Sequence, residues 1–171
     1  PEDAGRRLRY DFFRRIKASY PSSKIAVAHN KDDQAETILM RIIRGTGPDG
    51  LVGMTFLDSD IIRPILNFSK SEILEYLDGE KIPYNIDFTN LETDYTRNKI
   101  RLDIIPQIEK LNPMFMDSLV NLSLIVKDDL SILEKIEEES FFNISLKNEK
   151  DLISFDKEKF NNMPKGLKSR L

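Results

Sequence analysis

Lys24-Ile-Ala-Val-Ala-His29-Asn-Lys-Asp-Asp-Gln-Ala-Glu-Thr37 changes character halfway along. An almost wholly apolar run of strand length gives way at His29 to a dense polar stretch. A short apolar run after a turn signal, here Pro21-Ser22-Ser23, is the pattern of a strand buried in a parallel sheet. Asp32 to Arg44 then reads as a helix, with acids in its first turn and Arg41 and Arg44 in its last, matching the macrodipole at both ends. Upstream, Leu8, Phe12 and Ile16 recur at four-residue spacing among arginines, the pattern of an amphipathic helix between Asp3 and Tyr20. Helix, strand, helix implies an α/β sheet. The polar stretch sits where a strand ends and a helix begins, the edge at which open α/β sheets bind ligands.

Further along, Gly45-Thr-Gly-Pro-Asp-Gly50 matches a dinucleotide-binding glycine pattern by letter. It follows a helix rather than a strand and carries Pro at its fourth place, so that motif is rejected. A helix exit in the left-handed region explains Gly45 better. Ile61 to Leu66 reads as a short extended piece. Ser69-Lys-Ser-Glu72 is a capping box opening a helix that Gly79 closes. Asp94 to Leu111 has helical spacing with an expected break at Pro106. Asn112-Pro113 is a natural boundary, and Phe115 to Leu133 marks a long helix leading to a small mixed segment from Asn143. The reading is therefore two regions, 1–111 as an α/β domain and 112–171 as a long linker helix and the start of a second, helical domain.

The 171 residues include no Cys and one His, and 40% are hydrophobic, enough for a core. Absence of Cys excludes disulfides, thiolate catalysis and Cys-held zinc or iron–sulfur sites, and fits a cytoplasmic compartment. No apolar run approaches the roughly 20 residues that span a bilayer, so no membrane association is expected. The chain starts at Pro1 rather than Met and ends inside a helical-looking stretch, so both ends are expected to be cuts in a longer protein. Net charge is −3, yet ten of the eleven arginines precede residue 102. Phosphate-binding capacity therefore belongs to the first part, although the cluster Arg6, Arg7, Arg9, Arg14 and Arg15 is also what a solvated helix face looks like.

Two polar constellations carry candidate chemistry. In the first, Asp33, Glu36 and Thr37 share a helix face at i, i+3 and i+4, so two carboxylates converge on one cation or ammonium group. Asp32 is expected to cap the helix. The plain alternative is that acids simply favour a helix N-terminus. His29 is a candidate for orienting substrate rather than for zinc, which needs further His or Cys ligands. In the second, Arg97 and Arg101 lie four apart on one helical face, suited to phosphate or carboxylate oxygens, with Asp94 and Asn98 to orient them. An intrahelical pair of Asp94 with either arginine is the alternative.

Taken in order, His-Asn-Lys-Asp-Asp-Gln-Ala-Glu-Thr at 29 to 37, Arg-Gly-Thr-Gly-Pro-Asp-Gly-Leu at 44 to 51, Arg-Pro-Ile-Leu at 63 to 66 and Asp-Tyr-Thr-Arg-Asn-Lys-Ile-Arg at 94 to 101 resemble the tRNA(Ile)-lysidine synthetases of the PP-loop ATP pyrophosphatase group. The resemblance implies a remnant of a Rossmann-like parallel-sheet PP-loop domain. It also implies a reaction in which ATP adenylates the C2 oxygen of the wobble cytidine of tRNA(Ile), and the ε-amine of L-lysine displaces AMP. Asp33, Glu36 and Arg97 are then the catalytic candidates. His29, Arg44, Arg63, Asp94, Asn98 and Arg101 are the substrate- and phosphate-binding ones, and no metal ligand is assigned. ATP and Mg²⁺ are expected in the intact enzyme and none bound to this chain alone, because the group's Ser-Gly-Gly-x-Asp-Ser phosphate loop is missing from this sequence. Self-association is expected through surface that such missing parts leave uncovered. A tRNA thiolase of the same group, disfavoured by the lack of Cys, and a non-catalytic helical binding module are the alternatives. Glu36→Gln and Arg97→Ala in the complete enzyme are expected to cut lysidine formation by about 100-fold, with little change in stability.

Overall fold

The computed structural model describes residues 2–85, 96–149 and 152–170. Helix α1 (Glu2–Ala18) leads through a turn to strand β1 (Ile25–Ala26), which is followed by α2 (Lys31–Arg44) and the single turn α3 (Pro48–Leu51). Strands β2 (Leu57–Asp58) and β3 (Ile61–Ile62) come next, then α4 (Lys70–Gly79). β1 pairs parallel to β3, with Ile25 opposite Ile61, and β2 pairs antiparallel to β3, giving the order β1-β3-β2. The expected parallel strand therefore forms, but its ladder is short and it is not the buried strand expected, since only Ile25 is buried while Ala26 and Ala28 are exposed. Ile25 N donates to Asp60 O and Val27 N to Ile62 O, one residue either side of the pairing. The π-helical turn Ile100–Ile104 joins α5 (Thr96–Lys99) to α6 (Ile105–Glu109). Pro106 stands just inside α6 and has no N–H to return to the preceding turn, which accounts for the widened coil there.

The core of this part is one cluster. Ala35, Ile38 and Leu39 from α2 meet Ile100, Ile105 and Leu119, all at most 8% exposed. Their spacing along α2 follows the helical period, so the face that carries them inward places Asp33 and Glu36 beside it. α1 departs from its expected pattern. Leu8, Phe12 and Ile16 are 69%, 51% and 47% exposed, whereas Tyr10, Phe13 and Lys17 are half-buried. The four-residue stripe thus lies off the face that α1 turns inward.

Helix α7 (Phe115–Ile144), strands β4 (Ser145–Glu149) and β5 (Leu152–Phe155), and helices α8 (Lys157–Asn162) and α9 (Lys165–Lys168) complete the chain. β4 and β5 form an antiparallel hairpin. Phe155 meets Phe141 edge-on and stacks on Phe160, with ring centres 5.6 and 6.2 Å apart. Arg170 donates to Glu137 at 2.5 Å. The sequence puts the regional boundary at 111 and 112, while the folded chain divides into units Pro1–Ser123 and Leu124–Leu171. Local punctuation at Asn112-Pro113 ends one helix, but Leu119 still belongs to the first core. Among the described residues no helix is long and apolar enough to cross a membrane.

Candidate active site

Asn30 caps α2. Its side chain accepts from Asp33 N at 2.9 Å, and the Asp33 carboxylate accepts from Asn30 N at 3.1 Å. Asn30, and not Asp32 as the sequence suggested, is the cap, because it is the residue with extended backbone just outside the first turn. Asp32 instead accepts from Lys70 N at 3.3 to 3.4 Å, linking the starts of α2 and α4. Desolvation raises its pKa, the Lys70 amide opposes that, and the neighbouring Glu36 and Asp33 charges add to the rise. Thr37 turns its hydroxyl back to Asp33 O at 2.7 Å, an intrahelical bond, so it leaves the carboxylates to act alone.

The two constellations come together. Arg97 Nε donates to Glu36 at 2.9 Å and its Nη2 to Asp33 at 3.1 Å. Arg101 donates through Nε to Glu36 at 2.5 Å, and through Nη2 to both Glu36 at 3.0 Å and Asp33 at 3.1 Å. Glu36 is 1% exposed, and a buried carboxylate survives only when charge and hydrogen bonds compensate it. Here two guanidiniums do so, leaving a four-residue network with no net charge. Arg97 on α5 and Arg101 in the π-helical turn, four residues apart, both reach the same pair of acids. Burial works against the Arg101 charge, but the hydrogen bond to Glu36 and the charges of Glu36, Asp33 and Asp32 outweigh it, raising the pKa.

This network edges a cleft of 610 Å³. Asn30, Asp32, Lys70 and Arg101 stand on its polar side, Ile73, Leu77 and Met116 on its apolar side, and Glu109 lines it too. The volume lies within the range of small-molecule sites. Each guanidinium keeps Nη1 outside the network, so Arg101 can present donors to a phosphate or carboxylate in the cleft. Both oxygens of Glu36 are already bonded, and Asp33 is bonded on both as well. Asp33 and Glu36 therefore do not fit a resident Mg²⁺. Among the described residues no cluster of three His, Asp or Glu side chains could hold a metal.

The remaining sequence candidates divide. His29 and Asn98 are half-buried, one just before the α2 cap and the other next to Arg97. Asp94 lies outside the described residues. Arg44 is exposed at the far end of α2, eleven residues or roughly 16 Å beyond Asp33 at helical rise. Arg63 is buried but lines a different cavity. Sequence reading missed Lys70 and Glu109, whose only signal is their place on helices that the tertiary fold sets around the cleft. It also missed Gln34. Its buried amide donates to Val52 O and Met54 O and accepts from Met54 N, while Arg41 donates to Gly50 O and Gly53 O. Gly53 has φ of +69°, and an added Cβ would stand 2.6 Å from Gln34 Oε1. The glycine-rich loop is thus bolted to α2 rather than used as a dinucleotide turn.

Comparison with known proteins matches residues 1–108 to the PP-loop domain family. The tRNA(Ile)-lysidine synthase of Clostridioides difficile (strain 630) is 41% identical over 99% of the chain. That of Clostridium acetobutylicum is 45% identical over 94%, and that of Clostridium tetani 50% identical over 64%. The chain spans 37%, 35% and 24% of those proteins' lengths. Among solved structures, a U34-tRNA thiolase from Methanococcus maripaludis with its [4Fe-4S] cluster superposes with a TM-score of 0.54 at 18% identity, over 74% of this chain and 44% of that one. At that identity the likeness is one of fold.

Proposed function

This chain belongs to the PP-loop domain family, and from that premise we propose that it is part of an ATP-dependent tRNA(Ile)-lysidine ligase. The observation that carries the reading is Arg101 on the wall of a ligand-sized cleft, held with Arg97 against Asp33 and Glu36, in a chain 41% identical to a lysidine synthase. In this reaction ATP transfers its adenylyl group to the cytidine C2 oxygen and releases pyrophosphate. The lysine ε-amine then attacks C2, loses its proton, and AMP leaves.

The chain's own residues contribute fixed positive charge. Asp33 and Glu36 hold both guanidiniums in one orientation, so no reorganisation is needed when negative charge develops on the departing phosphate oxygens. Arg101, and Arg97 beside it, meet those oxygens or the lysine carboxylate. An ammonium group needs a carboxylate that is not already taken up by arginine, and Asp32 and Glu109 are the cleft acids that meet this condition. The apolar wall of Ile73 and Leu77 suits the methylene chain between lysine's two ends. Since this sequence contains no Ser-Gly-Gly-x-Asp-Ser stretch, the chain alone is not expected to complete the reaction.

The test replaces the matching segment of the C. difficile synthase with this chain and measures ATP-dependent incorporation of labelled lysine into tRNA(Ile). The chimera should incorporate lysine, and Arg101→Ala within it should lower the rate by about 100-fold or more, as loss of one transition-state electrostatic partner does. A folded chimera that binds tRNA but incorporates no lysine would sink the reading. Incorporation of sulfur instead would favour a thiolase, against which the absence of Cys counts.

A further inference from the structure

Four polar or charged residues are buried among the described residues: Gln34, Glu36, Arg63 and Ser123. Three are satisfied. Gln34 makes its loop bonds, Ser123 donates to Val120 O at 2.7 Å, and Glu36 accepts from two arginines. Arg63 differs. Only 4% exposed, it donates from Nη1 to Thr55 O at 2.8 Å, and its Nε has no hydrogen-bond partner. Its nearest carboxylate, Asp58, is 62% exposed and stands 3.7 Å from Nη2, beyond hydrogen-bond length. A guanidinium has five donors, and a buried cation without a close anion is costly. An uncharged side chain of that length would fill the same space beside Thr55.

Arg63 does not line the Asp33–Glu36 cleft. It lines a second cavity, of 420 Å³, with Arg7, Tyr10, Asp11 and Arg14 of α1 and with Asp58 and Ile61 of the β2–β3 hairpin. Arg14 approaches Asp60 at 3.9 Å, again too far to engage its donors. Three guanidiniums and two carboxylates thus line the cavity, with Asp60 beside Arg14, and the most buried cation, Arg63, keeps an Nε donor without a partner. We propose that this cavity binds a phosphate group, as a monoester or diester, with Arg63 as the buried anchor and Arg7 and Arg14 closing over it. Guanidinium forks match phosphate oxygens in geometry and charge. The volume leaves room for the nucleoside or sugar attached to the phosphate. The site is separate from the proposed ligase centre and does not depend on that reading.

The experiment follows arginine Nε–H resonances of the ¹⁵N-labelled chain during titration with inorganic phosphate, AMP and a short single-stranded RNA, at constant ionic strength with chloride as control. The Arg63 Nε–H resonance should shift saturably with phosphate. Arg14→Gln, an exposed change, should weaken that binding by about tenfold, the loss expected of one charge-assisted contact, and Arg63→Met should abolish it. Tighter binding of AMP than of RNA would identify a free nucleotide as the source of the phosphate, and the reverse a nucleic-acid strand. The proposal is overturned if no phosphate-bearing probe shifts the Arg63 resonance, or if chloride or the Arg14→Gln chain gives the same titration. Should Arg63→Met fail to fold by circular dichroism, the Arg14→Gln comparison decides alone.

Discussion

Glu36 is 1% exposed and its carboxylate is the hub of three guanidinium hydrogen bonds. Replacing it with Gln removes the counter-charge while Arg97 and Arg101 stay 25% and 31% exposed, leaving two cations to share Asp33. We expect Glu36→Gln to destabilise the chain by about 3 kcal/mol, the scale of breaking a buried ion pair from one side, as measured by urea unfolding. This reverses the expectation, drawn from residue types alone, that stability would barely change. A surface acid could be neutralised at little cost; a fully desolvated one cannot. Unfolding curves of the two chains that superimpose would mean the network carries no structural load.

At the level of elements, the N-terminus of α2 is tied to the start of α7. Lys31 donates to Asp117 at 2.5 Å, and their side chains are 24% and 37% exposed. A lysine in the first turn of a helix opposes the dipole, and Asp117 compensates it. The hydrogen bond to Asp117 raises the Lys31 pKa, burial opposes the rise, and the charges of Asp117, Glu72 and Asp32 add to it. A raised amine pKa stabilises the folded state below its ordinary value of 10.5, and that contribution is lost as pH climbs through the folded value above it. Lys31→Met should therefore lower stability at neutral pH by about 0.2 to 1 kcal/mol, the range of solvent-screened pairs. The difference from the parent should close as pH rises past 10.5. Thermal melts at both ends of that interval measure it, and an unchanged gap at high pH would show that packing rather than charge was lost.

For the whole molecule, the exposed row Leu8, Phe12 and Ile16 on α1 is the feature with consequences for association. Burying one such side chain contributes about 1.5 to 3 kcal/mol, so a row of three is a sufficient seed for contact between chains. We expect concentration-dependent self-association in sedimentation experiments, and Leu8→Lys with Phe12→Lys should shift the population to monomer. An equally associated double variant would place the contact elsewhere.

How much of this was legible beforehand depended on the range of the forces involved. The strand at Ile25, the α2 helix, the Ser69 capping box and the exit at Gly45 are written in neighbouring residues, because periodicity, capping and left-handed glycine are settled within a turn or two of chain. The pairing of 33 and 36 with 97 and 101 was not written in the two helical spacings; it was expected only from the resemblance to the lysidine synthetases, whose chemistry gathers these acids and guanidiniums in one concave region, and the four do come together. Three misreadings share one cause. Asp32 is no cap, Leu8-Phe12-Ile16 is not buried, and Glu36 is structural as well as polar. In each case local pattern gives a residue's chemistry, while the segment that comes to lie against it decides its burial and partners. By itself the sequence determined the helices, the parallel strand and the chemical types available at the sheet edge. Only the tertiary structure decided which charges neutralise one another, since burial and Coulombic pairing across some 65 residues of chain are set by packing and not by spacing.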